Sequence, residues 1–245
     1  MKDDYAVLFD VGGVLRDSKE ALYFAVHYAF ASHNVTFTLT PDEVWRLRGL
    51  EALSATKNLI HAYLVDAQQC KHLPYLTYKQ AQEQAQHLIT SPPPPLTQHI
   101  YHTYKHVMNS QIIKTKVKVK TGARSVLKAL SKYKLGVVSN AAFKTLRRDI
   151  AHLLPFFHVI ITKDNALALK PSPHGIKQAL EQLGVRRGVL IGDNVTDYTA
   201  AQRAGVEFIG IKDGMTGEKW LRELGVKHVC TLAEVVECVN TLRQP

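Results

Sequence analysis

Residues 5–18 read YAVLFDVGGVLRDS. The first five form an apolar run without alternation, the pattern of a strand buried on both faces of a parallel sheet. The run ends on a carboxylate, Asp10, and Gly12 and Gly13 follow within three residues. In open α/β sheets, ligands bind beyond the carboxyl ends of the strands. A glycine-containing turn at such an end can aim backbone N–H groups at an anion.

The same pattern recurs along the chain. Short apolar runs at 135–138, 159–161, 189–191 and 208–211 each end in polar or glycine residues. Helical spacing lies between them, with apolar positions 123, 126, 127 and 130, then 176, 179, 180 and 183, the last closed by Gly184. Alternating strands and helices predict an α/β fold, a doubly wound parallel Rossmann-like sheet. Residues 20–32, 41–47, 53–69, 77–89 and 96–110 instead read as helices with no buried strand among them. The run 92–95 of four prolines must end the fourth of these. An all-α insertion inside an α/β domain is the simplest account. The segment 114–120, KTKVKVK, reads as its extended return linker, with an edge strand as the alternative.

Composition sets outer limits. The 245 residues suffice for one large domain or two modest ones, and 46% apolar with 21% charged residues is a soluble globular balance. Three acids among the first ten residues argue against a signal peptide, and no stretch approaches the roughly 20 apolar residues of a membrane helix. A cytoplasmic protein without a membrane partner, monomeric or homodimeric, is therefore expected. Cys70, Cys230 and Cys238 are odd in number and form no CxxC pair, which argues against both a zinc site and a disulfide framework. The formal net charge is +10, and residues 114–148 hold eleven Lys and Arg with no acid. Such a run can bind polyanions. No aromatic-rich or helix-turn-helix signal accompanies it, so nucleic acid is not the expected partner, and the face would draw small anions toward a cleft instead.

Four polar clusters thus follow strand ends in order. They are Asp10 in LFDVGGVL, Ser139 and Asn140 in GVVSNA, Lys170 in LKPSPHGIKQALEQLGV, and Asp193 with Asp197 in VLIGDNVTDYTAAQRAGVEFIGI. This series resembles the haloacid dehalogenase-like (HAD) hydrolases. Within them it is similar to the phosphoglycolate phosphatase and β-phosphoglucomutase-like subfamily, whose α-helical (C1-type) cap is inserted after the first strand. The resemblance covers a core of residues 1–16 and 117–245. The cap, 17–116, matches in position and helical type alone.

The resemblance implies a Mg²⁺-dependent phosphatase of small phosphorylated metabolites, with a mobile helical lid over its core. Asp10 would be the nucleophile that forms an aspartyl-phosphate. Gly12, Gly13, Ser139, Asn140 and Lys170 would hold the phosphoryl oxygens, and Asp10, Gly12, Asp193 and Asp197 would hold the metal. The chemistry of the residues agrees: phosphoryl transfer needs an in-line nucleophile, donors for three equatorial oxygens and a hard cation. Arg46 and Arg48 in WRLRG resemble the cap's specificity loop, where either guanidinium could clamp a second anionic group. Asp17 reads as a hinge residue.

One position departs from the family pattern Asp-x-Asp-Gly. Gly12 stands where the second Asp is expected, and that residue serves the family as general acid and base. Gly keeps the backbone carbonyl but loses a proton shuttle worth about 10²–10⁴ in rate. Substrates with good leaving groups, such as acyl, anomeric or aryl phosphates, are then expected. His27 and His33 are the nearest substitute acids in sequence. Two alternatives remain: hydrolysis of a phosphonate or other carbon bond, with Lys57 as the amine, or a weakly active phosphate-binding protein that uses the basic 114–148 face.

Overall fold

The computed structural model of the chain describes residues 4–243. Its strands are β1 (Tyr5–Phe9), β2 (Arg16–Asp17), β3 (Lys118–Val119), β4 (Lys134–Val138), β5 (Val159–Ile161), β6 (Arg187–Gly192), β7 (Glu207–Ile211) and β8 (His228–Cys230). Helices α1 (Lys19–Ala31), α2 (Pro41–Leu47), α3 (Thr56–Val65), α4 (Ala67–His72), α5 (Tyr78–Thr90) and α6 (Pro95–Met108) lie between β2 and β3. Helices α7 (Ala123–Ala129), α8 (Phe143–Ile150), α9 (His174–Leu183), α10 (Val195–Ala204), α11 (Gly217–Glu223) and α12 (Val235–Leu242) follow.

Six strands form one sheet in the order β5-β4-β1-β6-β7-β8, and every pairing is parallel. The chain starts in the middle, builds outward to β5, then returns to the other side of β1. This is the doubly wound arrangement that the alternation of elements predicts, with its topological switch point beside β1. Tyr5, Val7 and Phe9 point into a core shared with Val137, Val189 and Ile209, which Leu127, Leu146 and Val239 from α7, α8 and α12 complete. Ala6 and Leu8 are equally buried, and the period of two sends them to the opposite face, where α9 and α10 cover the sheet. Burial on both faces explains why the strand sequences carry no polar alternation.

The chain divides into two compact units. One holds the residues up to Asp17, Lys118–Gly214 and the chain from Gly225 onward. The other holds Ser18–Val117 together with Met215–Leu224. The sequence boundary left Met215–Leu224 with the sheet. It groups instead with the helices because Trp220, fully buried on α11, donates its indole N–H to the Leu76 carbonyl at 3.1 Å and meets the Tyr78 ring edge-on at 5.7 Å. The Glu223 carboxylate accepts the Tyr78 N–H at 2.6 Å. Trp220→Ala is therefore expected to destabilise the helical unit by about 3–5 kcal/mol, read as a shifted denaturant midpoint.

Local chemistry sets the helix ends. Thr40 and Thr77 each form a capping box, with Glu43 and Gln80 respectively. Residues 53–69 were expected to form one helix, but the chain breaks at Asp66, whose backbone is extended and whose carboxylate accepts the Gln69 N–H at 2.8 Å. A strong N-cap residue here starts a second helix instead of continuing the first. The segment after α6 forms a 3-10 turn over Gln111–Lys116, and then β3 pairs antiparallel with β2. Arg16 in β2 is ion-paired with buried Asp149 on α8, which Arg148 also holds, Nε to Oδ1 at 2.5 Å. Helices α8, α11 and α12 and the short strands β2 and β8 went unrecognised in the sequence, each being short or lacking a clean period.

Candidate active site

Strand register brings the polar clusters together. Phe9 lies opposite Val137 on one side and Ile191 on the other. Asp10 therefore leaves the sheet level with the ends of β4 and β6, and its N–H still reaches the Ile191 carbonyl at 2.9 Å. Ser139 continues β4 by donating its N–H to the Ile161 carbonyl at 2.9 Å. Asp193 follows β6 directly.

Lys170 is at the centre of this edge. Its ammonium lies 2.7 Å from Asp10 Oδ1, 2.6 Å from Asp197 Oδ1 and 2.7 Å from the Val138 carbonyl, so its three N–H donors are all matched. The side chain is only 3% exposed. Burial alone would push such an ammonium down, but the charges of Asp10 and Asp197 outweigh it and hold Lys170 above its ordinary range. At Asp197 burial pushes the carboxyl up, Lys170 pulls it down and Asp10 pushes it up again. The net direction is upward.

The loop that carries Lys170 is fastened to the loop after β4. The Asn140 amide donates to the Lys170 carbonyl and accepts the Lys170 N–H, both at 2.9 Å. Lys163 N–H reaches the Ala141 carbonyl at 3.1 Å, and Asp164 accepts the Phe143 N–H at 2.7 Å. Both ends of the Asn140 side chain, expected at the phosphoryl group, thus bond the backbone of Lys170. Ser139 Oγ accepts the Ala141 N–H at 3.3 Å, which leaves the hydroxyl hydrogen to donate.

Asp10, Asp193 and Asp197 are all buried, and each offers an oxygen within 4.8 Å of the others. Among the described residues this is the one such group of His, Cys, Asp and Glu. Both carboxylate oxygens of Asp197 are already engaged. Its Oδ1 meets Lys170, and its Oδ2 accepts the N–H groups of Asp193 and Asn194 at 3.1 and 3.0 Å as the capping box of α10. The set is oxygen-only and carboxylate-rich, which fits a hard cation such as Mg²⁺ and not a soft metal.

Two glycines make room for Asp193. A Cβ on Gly13, whose φ is +71°, would fall 1.9 Å from Asp193 Oδ2. A Cβ on Gly214 would fall 2.1 Å from Asp193 Cβ. Gly214 was missed in the sequence, although the rule that polar residues after strand ends form the site, applied after β7, points to it. Gly214→Ala is expected to displace Asp193 and weaken Mg²⁺ binding at least about tenfold by titration, since second-layer changes around a metal cost roughly 10–100-fold. Gly12 differs from both. A Cβ there would meet only Asp10 Oδ2, at 3.7 Å, and its φ is not positive.

The remaining candidates lie in the helical unit. Arg46 stacks over the Trp220 ring at 5.9 Å, and Arg48 donates to Thr56 Oγ1 at 2.6 Å. Both guanidinium groups are half-buried and engaged inside that unit. His33 Nε2 meets Thr103 Oγ1 at 3.0 Å, His27 is exposed beside the Tyr23 ring, and Lys57 is exposed on α3.

The doubly wound parallel sheet thus brings one lysine and three buried aspartates together beyond its strand ends. The haloacid dehalogenase-like hydrolase family matches residues 7–211, and the chain belongs to it. Pyrophosphatase PpaX of Bacillus pumilus is 30% identical over 126 residues, covering 50% of this chain and 57% of that protein. PpaX of Oceanobacillus iheyensis is 23% identical over 228 residues, covering 91% of this chain and 90% of its own. The chain thus spans little more than half of the first of these relatives. A provisionally named phosphoglycolate phosphatase from Lactobacillus delbrueckii subsp. bulgaricus shares the fold with a TM-score of 0.75 at 19% identity, over 98% of this chain and 99% of that one. A HAD-superfamily hydrolase, subfamily IA, from Geobacter sulfurreducens does so with a TM-score of 0.60 at 19% identity, over 96% and 95%. No helix among the described residues is long and apolar enough to cross a membrane.

Proposed function

We propose that the chain is a phosphohydrolase that moves a phosphoryl group first to Asp10 and then to water. The observation that carries this reading is the setting of Asp10. One of its oxygens is held by Lys170 at 2.7 Å, and the other faces the space left by the missing side chain of Gly12. In the first step an Asp10 oxygen attacks phosphorus, an acyl phosphate bond forms and the leaving group departs. In the second step water attacks the same phosphorus, inorganic phosphate leaves and the carboxylate is restored.

Each neighbour has a task in this scheme. Lys170 orients Asp10 and balances its charge; with three donors already matched, it is a poorer direct ligand of phosphate than Ser139, whose hydroxyl hydrogen remains to donate. Asn140 locks the Lys170 loop. Asp197 holds Lys170 in place. Asp10, Asp193 and the Gly12 carbonyl would hold Mg²⁺, which supplies charge neutralisation at the phosphoryl oxygens when bound.

The absence of a carboxyl group at Gly12 selects the substrate. An alkoxide leaves badly without a proton, whereas acyl, anomeric and aryl phosphates leave well. Phosphoanhydrides belong with them, because their leaving group is itself a stable phosphate anion, and the pyrophosphatase name of the PpaX relatives supports including them. Water attack in the second step also loses its base, so the acyl phosphate should decay slowly. Steady-state kinetics on three substrates test this reading. With Mg²⁺ present, pyrophosphate and an aryl phosphate are expected to exceed an alkyl phosphate in kcat/KM by at least about 100-fold, and EDTA is expected to abolish turnover. Equal rates on alkyl and aryl esters, or none on any of the three, would overturn it.

A further inference from the structure

The basic run 114–148 takes no part in the scheme above, and the fold gives two of its lysines a setting of their own. An open cavity of about 400 Å³ lies where β4 and β5 begin and α9 ends, within the sheet unit. That volume falls in the range of small-molecule sites, roughly 300–1,000 Å³. Lys132, Lys134, His158 and Gln182 line it with polar atoms, and Val159 and Leu183 with apolar ones. The catalytic edge lies at the other end of β4, across the five residues of that strand and so about 17 Å away.

The polar atoms here are donors with little else to bond. Lys132 is exposed, and among the described residues its ammonium meets the Tyr133 ring alone, at 5.1 Å to the centroid. Lys134 is half-buried and gives one N–H to the Leu183 carbonyl at 2.5 Å, which leaves two. His158 Nδ1 accepts the Leu135 N–H at 3.1 Å, so the neutral ring carries its hydrogen on Nε2, where it can donate. The lining holds no carboxylate, and among the described residues neither lysine is ion-paired. One force works against an anion: α9 ends at the cavity, and a helix C-terminus carries about half a negative charge. Two full positive charges outweigh it, and Lys134 already satisfies the Leu183 carbonyl.

From this arrangement we propose that the cavity is a second ligand site, which takes a small organic phosphate. A phosphomonoester is close to dianionic at neutral pH, and the two ammonium groups match that charge. His158 adds a neutral donor, while Val159 and Leu183 receive an apolar or ring-shaped body. Size argues the same way, because inorganic phosphate alone would leave most of the cavity unfilled. Nothing in the inference depends on the phosphohydrolase reading, and its test needs no turnover.

Phenyl phosphate is titrated into isotope-labelled full-length protein in EDTA, and the backbone amide resonances are followed by NMR. Saturable shifts with a sub-millimolar midpoint are expected at Lys134, Leu135, His158 and Gly184. Lys132→Glu, at an exposed position, should weaken that binding at least about tenfold, the scale of a hydrogen bond to a charged group, without altering the rest of the spectrum. Phenol should move none of these amides, and inorganic phosphate should bind there more weakly than phenyl phosphate. Binding at the catalytic edge is read separately, from the amides of residues 11–13 and 139–141. The proposal is overturned if phenyl phosphate moves only those amides, or if Lys132→Glu and Lys134→Met both bind it as tightly as the wild type. Phenol or inorganic phosphate binding the cavity as tightly as phenyl phosphate would overturn it too.

Discussion

Asp10→Asn should lower turnover of an aryl phosphate by at least about 10⁴-fold, the scale seen when a covalent nucleophile is removed. The substitution keeps shape and volume while removing the nucleophilic charge. It should leave the site assembled, because Lys170 retains Asp197 at 2.6 Å and the Val138 carbonyl at 2.7 Å. Circular dichroism separates this effect from unfolding, and titration at saturating Mg²⁺ separates it from the loss of a metal ligand. A folded variant that keeps more than a tenth of wild-type turnover would show that the chemistry runs through another group.

Gly12→Asp should produce the largest gain available from one substitution. The position is open: an added Cβ meets only Asp10 Oδ2 at 3.7 Å, with no backbone strain from a positive φ. A carboxyl group there can protonate a leaving alkoxide and later take a proton from attacking water. The parameter kcat/KM reports the first step. It should rise by about 10²–10⁴ for an alkyl phosphate and by less than about tenfold for an aryl phosphate or pyrophosphate. The kcat values of all three should rise together, since hydrolysis of the acyl phosphate is common to them. A uniform gain in kcat/KM across the three would mean that the missing group was never a leaving-group acid.

The sheet and its four strand-end clusters were legible because parallel strands confine polar residues to their ends. Asp10, Ser139 and Asp193 sit where apolar runs stop, and ion pairs join Lys170, on the loop beyond β5, and Asp197, in the first turn of α10, to that edge. What sequence could not give was the use of each polar atom. Asn140 and Lys170 are 30 residues apart, and their reciprocal bonds join a side chain to a backbone, which leaves no compositional trace. Asp197 looked like a metal ligand by spacing, yet the same spacing makes it the N3 residue of a capping box, and that use occupies an oxygen. Gly214 meets Asp193 only through the chain return after β7, and such a return leaves no period in the sequence. The break at Asp66 was readable in principle, since an N-cap acid sits three residues before the backbone N–H it receives.

The central claim is that phosphoryl transfer stops for a time on Asp10. Mixing the protein with a phosphoanhydride or aryl phosphate and Mg²⁺, quenching in acid within one turnover and mapping the peptides by mass spectrometry tests it most directly. The account predicts a phosphoryl group on the peptide that contains Asp10, building up in the wild type and falling to a small fraction in Gly12→Asp, where hydrolysis regains its base. Turnover of substrate with no phosphoryl group on Asp10 at any time in either protein would contradict it.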